Sequence, residues 1–375
     1  MAGGKVADFE LLAGSDAFWR RARGDLARAR ERLFVQAMTF EGDGTGLAVA
    51  EAISASPARD RRILVDGYTR AVINDRLVWS PAGLLDRRLQ AERRETNAMF
   101  RRLVGQGIRV RTTNPIGLGL WRYPARNHKK LIVADDVAYI GGINFSDHNF
   151  AWSDFMVRIE GKAPADFLAG DFAATFAGVP RPSSETFGAI RLLCLDGRSN
   201  AKGFAELFGM IAAARREITV VSPYLTFPFT DALAKAAKRG VGVRVITPLA
   251  NNKPLVRDYL LANAVKNGLQ VSPIAQMSHE KGILIDEEHL IVGSSNFDFV
   301  SLACEEEILA VVSARPLIEA FVEKIVAPAL ANAAPPGAKQ VSALAGAASG
   351  GVLRMANLAL QAARSARRTA SNWPR

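Results

Sequence analysis

One short pattern occurs twice in this 375-residue chain, and it constrains the fold more than any other feature. The first copy runs His128-Lys129-Lys130, four residues, Asp135, then Gly141-Gly142-Ile143-Asn144. The second runs His279-Glu280-Lys281, four residues, Asp286, then Gly293-Ser294-Ser295-Asn296, about 150 residues further on. The chain has only four histidines, and two of them head these copies. Self-similarity of this kind points to two related halves, each giving one set of residues to a shared site.

The flanking sequence repeats in the same order. In the first half a helical stretch at 17–32 precedes a strand at 33–40, a helix at 46–54, a strand at 62–66, a further helix and a strand at 107–111. In the second half a helix at 203–215 precedes a strand at 217–224, a helix at 230–238, a strand at 241–247, a helix at 253–267 and a strand at 269–273. Such alternation predicts an α/β layered sheet in each half. The halves fall at 1–180 and 185–328, with a Pro/Ser-rich join at 178–184. Two segments break the symmetry. Residues 71–97, which carry Trp79, Pro81 and many arginines, read as a lid or substrate-binding insertion, or equally as a plain surface helix. Residues 329–351 have a linker composition, and 352–375 form a basic tail with Arg354, Arg364, Arg367 and Arg368, either an interfacial helix or a solvated end.

Within each copy the pattern reads as two strands joined by a turn, at 135–136 in the first and around 286–288 in the second. Residues i and i+2 of a strand face the same way, so His128 shares a face with Lys130, and His279 with Lys281. Asp135 and Asp286 lie at an odd offset near the turn, which makes them structural or orienting. The glycines allow close backbone approach, and Asn144 and Asn296 can donate to a ligand oxygen. Lysine and asparagine donors suit phosphate oxygens. One neutral imidazole can attack phosphorus while the other handles the leaving oxygen's proton. Each histidine needs a carboxylate to fix its tautomer. Asp154, Glu306 and Glu307, ten or eleven residues beyond the asparagines, are the candidates. No metal or other cofactor is expected, and no carboxylate or Cys/His cluster is evident to hold one. His148 and His289 read as surface or turn residues, and Asp43 and Asp66 as caps or turns.

A net charge of +11 favours an anionic partner: nucleic acid, a lipid surface or a phosphorylated substrate. Two cysteines without metal-ligand spacing suggest a reducing compartment. Residues 1–12 carry Lys5, Asp8 and Glu10 and no apolar core, so no signal peptide is expected, and no uncharged apolar run reaches the ~18 residues of a membrane span.

On these residues the chain resembles the phospholipase D superfamily, whose signature is His-x-Lys-x4-Asp followed by Gly-[Gly/Ser]-x-Asn, present twice. Within it the chain is most similar to bacterial cardiolipin synthases, through Arg126-Asn127-His128-Lys129-Lys130, Trp152-Ser153-Asp154 leading to Arg158-Ile159-Glu160-Gly161, and Ser222-Pro223-Tyr224. The resemblance implies two α/β sandwich halves packed pseudo-symmetrically around one active site. It implies a phosphohistidine intermediate, with His128 as nucleophile and His279 as general acid, then base. It counts Lys130, Lys281, Asp135 and Asp286 with the catalytic motif, gives the phosphate to Lys130, Lys281, Asn144 and Asn296, and leaves Asp154 and Glu307 as orienting carboxylates. The substrate would be an anionic phospholipid, met by a monomer at the inner face of the cell membrane. Three departures stand out. The first copy is one residue shorter between Asp135 and Gly141 than the second between Asp286 and Gly293. After Asn296, where synthases continue Asp-x-Arg-Ser and end Asn-x-Glu, Asp298, Ser301 and Glu307 match, but Val300 replaces the arginine and Glu305 the asparagine. The amino-terminal membrane helices of many synthases are not expected here. A phospholipase D hydrolase or a nuclease is the alternative activity, and a non-enzymatic membrane-binding protein a third. Small nucleases of the superfamily usually carry one motif per chain, which makes nucleic acid a poor fit.

Overall fold

Strand periodicity builds two large sheets with one helix layer outside each. The computed structural model describes residues 8–116, 124–334 and 341–371, with side chains described as far as 362. The leader reading of residues 1–7 and the side chains of Arg364, Arg367 and Arg368 lie outside the described residues.

The first half contains β1 (Asp8–Ala13), β2 (Arg32–Ala37), β3 (Asp60–Asp66), β4 (Val72–Ile73), β5 (Arg76–Leu77), β6 (Arg109–Thr113), β7 (Leu131–Ala134), β8 (Val137–Gly141) and β9 (Phe155–Glu160). Its helices are α1 (Ser15–Arg28), α2 (Gly44–Ala55), α3 (Pro81–Leu85), α4 (Arg87–Gly105), α5 (Asp147–Phe150) and α6 (Lys162–Ala177). The second half contains β10 (Ser183–Phe187), β11 (Ile190–Asp196), β12 (Glu217–Val221), β13 (Gly242–Pro248), β14 (Gln270–Ile274), β15 (Gly282–Ile285), β16 (His289–Gly293) and β17 (Glu306–Val312). Its helices are α7 (Asn200–Ala213), α8 (Phe229–Lys238), α9 (Pro254–Lys266), α10 (Phe299–Cys304), α11 (Arg315–Phe321), α12 (Ala327–Ala331) and the long α13 (Ala343–Ser371).

The sheet orders make the duplication explicit: β1-β9-β8-β7-β2-β3-β6 in the first, and β11-β17-β16-β15-β12-β13-β14, extended by β10, in the second. In each, one parallel run (β2-β3-β6, β12-β13-β14) meets an antiparallel hairpin (β7-β8, β15-β16). Side chains alternate between faces. Leu33, Val35, Ile63 and Val65 join the cluster under α1, α2 and α4, whereas Phe34 and Leu64 face inward. Ile218, Val220, Val243 and Val245 do the same under α7, α8 and α9. The inner cluster draws on both halves, with Phe172 of α6 and Phe321 of α11 beside Leu131, Phe155, Leu284 and Val292.

The hairpins differ in length. A two-residue turn separates Ala134 from Val137, and a three-residue turn separates Ile285 from His289. Asp135 (φ 51°) and Asp286 (φ 52°) take the left-handed conformation that Asp tolerates at turns. The shorter first copy is therefore absorbed at the turn. The expected strand at 217–224 stops at Val221, because Pro223 cannot continue the ladder. The expected linker at 329–351 is helical from Ala343 onward. Ala343–Ala362 is also long and apolar enough, by length and composition, to cross a membrane, since Arg354 is its single charge. The expectation that no uncharged apolar run reaches ~18 residues stands beside this, because Arg354 interrupts the stretch. Here the helix packs along α9, with Gly346 against Ala262 and Gly350 against Tyr259.

Candidate active site

The two motifs meet where the sheets meet. His128 lies just before β7 and His279 just before β15, and the chain at each point pairs with the other half. His128 N donates to Glu306 O at 2.9 Å, and His279 N donates to Ser153 O at 2.7 Å. Parallel bridges at Asn127–Glu306 and Ser153–Ser278 complete the two junctions.

The side chains cross in the same way. His128 Nδ1 lies 3.1 Å from Glu307 Oε1, and His279 Nδ1 lies 2.7 Å from Asp154 Oδ2. Each histidine is thus held by a carboxylate of the opposite half. Both contacts place the proton on Nδ1 and leave Nε2 with its lone pair free. Burial, then Lys130, lowers the His128 pKa to about 3, and burial, then Lys281, holds His279 well below its usual value. In the empty site both imidazoles are neutral.

Lys130 Nζ donates to His128 O at 2.7 Å, and Lys281 Nζ donates to His279 O. Burial pulls Lys130 down to about 7 and Lys281 to about 8. Carboxyls act on both lysines, Glu307 first on Lys130 and Asp154 first on Lys281, but among the described residues neither Nζ hydrogen-bonds to one; each donates to a backbone carbonyl, which leaves donors for the oxygens of an anion. Asn144 Oδ1 accepts from Thr39 N at 3.2 Å, which turns its amide nitrogen away from that strand. Asn296 Oδ1 is buried without a hydrogen-bond partner.

The two carboxylates are built differently. Asp154 accepts from Phe155 N at 2.8 Å and sits over Gly142, where a Cβ would collide with both its oxygens. Glu307 instead accepts from the hydroxyl of Ser294, the residue at the position matching Gly142, and from Ser301 Oγ at 2.9 Å. Burial raises both carboxyls, Asp154 to about 6.

Asp135 and Asp286 stand apart from this group, which corrects their inclusion among the catalytic residues. Asp135 accepts from the amides of Arg30, Glu31 and Arg32 at 2.7–2.9 Å, and Asp286 from those of Arg215, Arg216 and Glu217 at 2.8–3.0 Å. Each pins its hairpin turn to the start of the neighbouring strand, β2 or β12. Asp43 caps α2, and Asp66 caps a short turn while pairing with Arg126 at 2.7 Å. Both cysteines are buried, and Cys304 Sγ donates to Pro124 O at 3.2 Å.

A cavity of about 350 Å³ opens over the two histidines. His128, His279, Asn144 and Asn296 line its floor, while Ala356 and Leu360 of α13 give it an apolar wall. His148, expected at the surface, lines it too, with its ring 5.1 Å from Trp152. His289 is half-buried at the start of β16. From the 71–97 insertion only Asp75 reaches the cavity, where it accepts from Asn252 of the other half at 2.8 Å. Tyr224 presents its ring edge to His279 at 5.8 Å between centroids. Glu305, at the position where the asparagine was expected, also lines the cavity.

The expectation that no His/carboxylate cluster exists needs correcting. Candidate ligand atoms of His128, Glu305 and Glu307 lie within 4.8 Å of one another, as do those of Glu41, Asp43 and Glu92. In each set two carboxylates lie two residues apart and the third group is remote in sequence, so spacing announces only part of each. In the first set the hydrogen bonds to Glu307 and Ser301 already engage His128 Nδ1 and Glu305 Oε2.

Comparison with known proteins agrees with this geometry. A family described as "Cardiolipin synthase, PLD-like domain" matches residues 207–327. Cardiolipin synthase B of Escherichia coli K12 is 28% identical over 331 residues, covering 80% of this chain and 74% of that protein. A minor cardiolipin synthase of Bacillus subtilis is 30% identical over 207 residues, 49% of this chain and 51% of that one. Among solved structures, a phosphatidylserine synthase of Haemophilus influenzae superposes with a TM-score of 0.66 over 85% of each chain at 15% identity, a likeness of fold.

Proposed function

We propose that this chain, a member of the phospholipase D superfamily similar to bacterial cardiolipin synthases, is a phosphatidyltransferase that works through a phosphohistidine on His128. The observation that carries the reading is the pair of neutral histidines, each held through Nδ1 by the opposite half, facing one cavity beside two buried lysines whose Nζ groups hydrogen-bond only to backbone carbonyls among the described residues.

The chemistry follows from the placement. A glycerophospholipid diester brings negative charge to Lys130 and Lys281, and Asn144 and Asn296 orient its oxygens. Its charge raises the proton affinity of His279, whose Nε2 takes up a proton from solvent. His128 Nε2 then attacks phosphorus, the bond to the head-group oxygen breaks, and His279 protonates the departing alcohol. A hydroxyl of a second lipid attacks the phosphorus in turn, gives its proton to His279 and displaces His128. Water in place of that lipid would release phosphatidic acid. No step calls on a metal.

One chain supplies both histidines and both carboxylates, so a monomer suffices. The wall formed by Ala356 and Leu360 suits acyl chains, and α13 continues it outward through exposed Val352, Met355 and Leu358. We place this face on the cytoplasmic surface of the membrane as a peripheral contact, with the +11 charge favouring anionic lipid.

Purified protein with phosphatidylglycerol vesicles is expected to yield cardiolipin and glycerol by mass spectrometry, and His128→Ala or His279→Ala to abolish both. Phosphatidic acid alone would replace transfer by hydrolysis. Absence of either product, with DNA cleaved in chelator, would replace the lipid reading altogether.

A further inference from the structure

Two departures from the expected motif line the cavity, Val300 and Glu305; Glu305 is the one that can carry a proton, and the hydrogen bonds around it state which form it takes. Ser301 Oγ is 2.8 Å from Glu305 Oε2 and 2.9 Å from Glu307 Oε1. A hydroxyl has a single proton and can donate to only one of two carboxyl groups. The other contact needs its proton from the carboxyl itself, so one of the two glutamates is neutral. Glu307 is the committed acceptor. It takes the Ser294 hydroxyl, whose oxygen is occupied by Ile308 N, and it takes His128 Nδ1–H. Lys130 and Lys281 further favour its charged form. Glu305 has no comparable set of donors: Ser301 is its side chain's one hydrogen-bond partner among the described residues, and Oε1 has none.

We propose that Glu305 works as a neutral, proton-bearing carboxyl: Oε2–H donates to Ser301, which donates to Glu307 and so steadies the Glu307–His128 pair, while Oε1 accepts a hydroxyl of the substrate's polar group in the cavity. A protonated carboxyl has the donor and acceptor of a carboxamide, which is why glutamate can stand where asparagine was expected. An ionised carboxyl would take the Ser301 proton from Glu307 and add negative charge beside the phosphate subsite.

The surroundings agree. The groups that face Glu305 are His128 and Lys130 just before β7, Arg126 on the same cavity and already paired with Asp66, Asp298 at the cap of α10, and Glu307 on β17. Two are carboxyls, and with burial as the first cause they raise Glu305 to about 8. A raised carboxyl keeps its proton below that value and loses it as pH rises through it. Glu305 is therefore a positioning residue for His128 and a contact for a hydroxylated group. The proton count is independent of the lipid reading; the hydroxyl contact rests on it.

Infrared difference spectroscopy of wild type minus Glu305→Gln reads the proton directly, through the carbonyl stretch of an un-ionised carboxylic acid. We expect the band at pH 7 and its loss as pH passes about 8. Ser301→Ala, which removes the proton's acceptor, is expected to shift the band. With phosphatidylglycerol vesicles, Glu305→Ala is expected to lower kcat/KM about 10- to 100-fold, and Glu305→Gln to restore it to within about tenfold of wild type. The alkaline limb of kcat/KM, to which Lys130 and Lys281 also contribute, is expected to lose one ionisation in Glu305→Gln. Absence of the band at pH 7 would overturn the proposal, as would equal losses in Glu305→Gln and Glu305→Ala. A wild type without lipid product would remove the lipid reading and leave the spectroscopic result to decide the proton.

Discussion

Asp154→Asn is the sharpest test of the crossed carboxylates, because the substitution keeps the volume and removes one acceptor. Asp154 uses both oxygens: one accepts from Phe155 N at 2.8 Å and the other faces His279 Nδ1 at 2.7 Å. An amide has one oxygen and one NH₂. If the oxygen stays on Phe155, the NH₂ meets Nδ1 and forces the proton to Nε2, the wrong tautomer for a base. If the oxygen turns to His279, two donors confront each other at Phe155. Either way a buried group loses its partner, at ~1–3 kcal/mol, and the imidazolium formed in the reaction loses a charged acceptor, at a further ~1.5–3 kcal/mol. The sum, ~3–6 kcal/mol, corresponds to a fall in kcat of about 10²- to 10⁴-fold. The assay is cardiolipin formation from phosphatidylglycerol, run beside Glu307→Gln. A second substrate separates the roles. Bis(p-nitrophenyl) phosphate has a leaving group that departs as an anion, so the first step no longer needs an acid. Asp154→Asn should then show a rapid burst of nitrophenol, and Glu307→Gln, which disturbs the nucleophile, should not. Wild-type turnover in Asp154→Asn would refute the orienting role. A burst confined to Glu307→Gln would reverse the assignment of the two histidines.

Two further outcomes follow from the charge and shape of the site. At pH 8 the empty site is short of protons on Lys130 (about 7) and Lys281 (about 8), so binding of diethyl phosphate should take up about one proton. Calorimetry in buffers of different ionisation enthalpy measures it, and zero uptake would mean that both lysines are charged before the anion arrives. On α13, Val352→Asp with Met355→Asp places charges on side chains that are 51% and 67% exposed. Removing that apolar area should weaken sedimentation with anionic vesicles about 10- to 100-fold while the inward Leu353 and Leu360 keep the helix docked. Unchanged sedimentation would exclude this face as the membrane contact.

The large features were legible because they repeat. Strand-helix alternation gave two matching sheets, and the spacing of His128, Lys130, His279 and Lys281 gave the reacting face. The role of Asp135 and Asp286 at the turns was also readable, since strand parity carries them off that face. Three things were not. Nothing local says that Asp154 serves His279 and Glu307 serves His128, because pairing across halves is set by the packing of the two sheets. His148 looked like a surface residue because its wall of the cavity is assembled from both halves. The tail looked like a linker because its many small residues resemble one, yet Gly346, where a Cβ would collide with Ala262, is what lets α13 approach α9. Glu305 did leave a signal, a carboxyl in place of an expected amide, but its meaning needed the position of Ser301.

The unequal support of the two carboxylates bears on which histidine does what. Glu307 spreads its charge over donors from Ser294, Ser301 and His128. Among the described residues Asp154 has only Phe155 N besides His279, and its first-half counterpart to Ser294 is Gly142, which offers no hydroxyl. A carboxylate with fewer donors is the stronger acceptor for the remaining one. His279 therefore has the partner better able to stabilise an imidazolium, the state a general acid must enter. His128 has the partner that holds its ring in place while stabilising an imidazolium less, and burial with Lys130 keeps it neutral, the state a nucleophile must keep. On the proposed mechanism, a glycine set against a serine at matching positions of the two halves favours His279 for the proton and His128 for phosphorus.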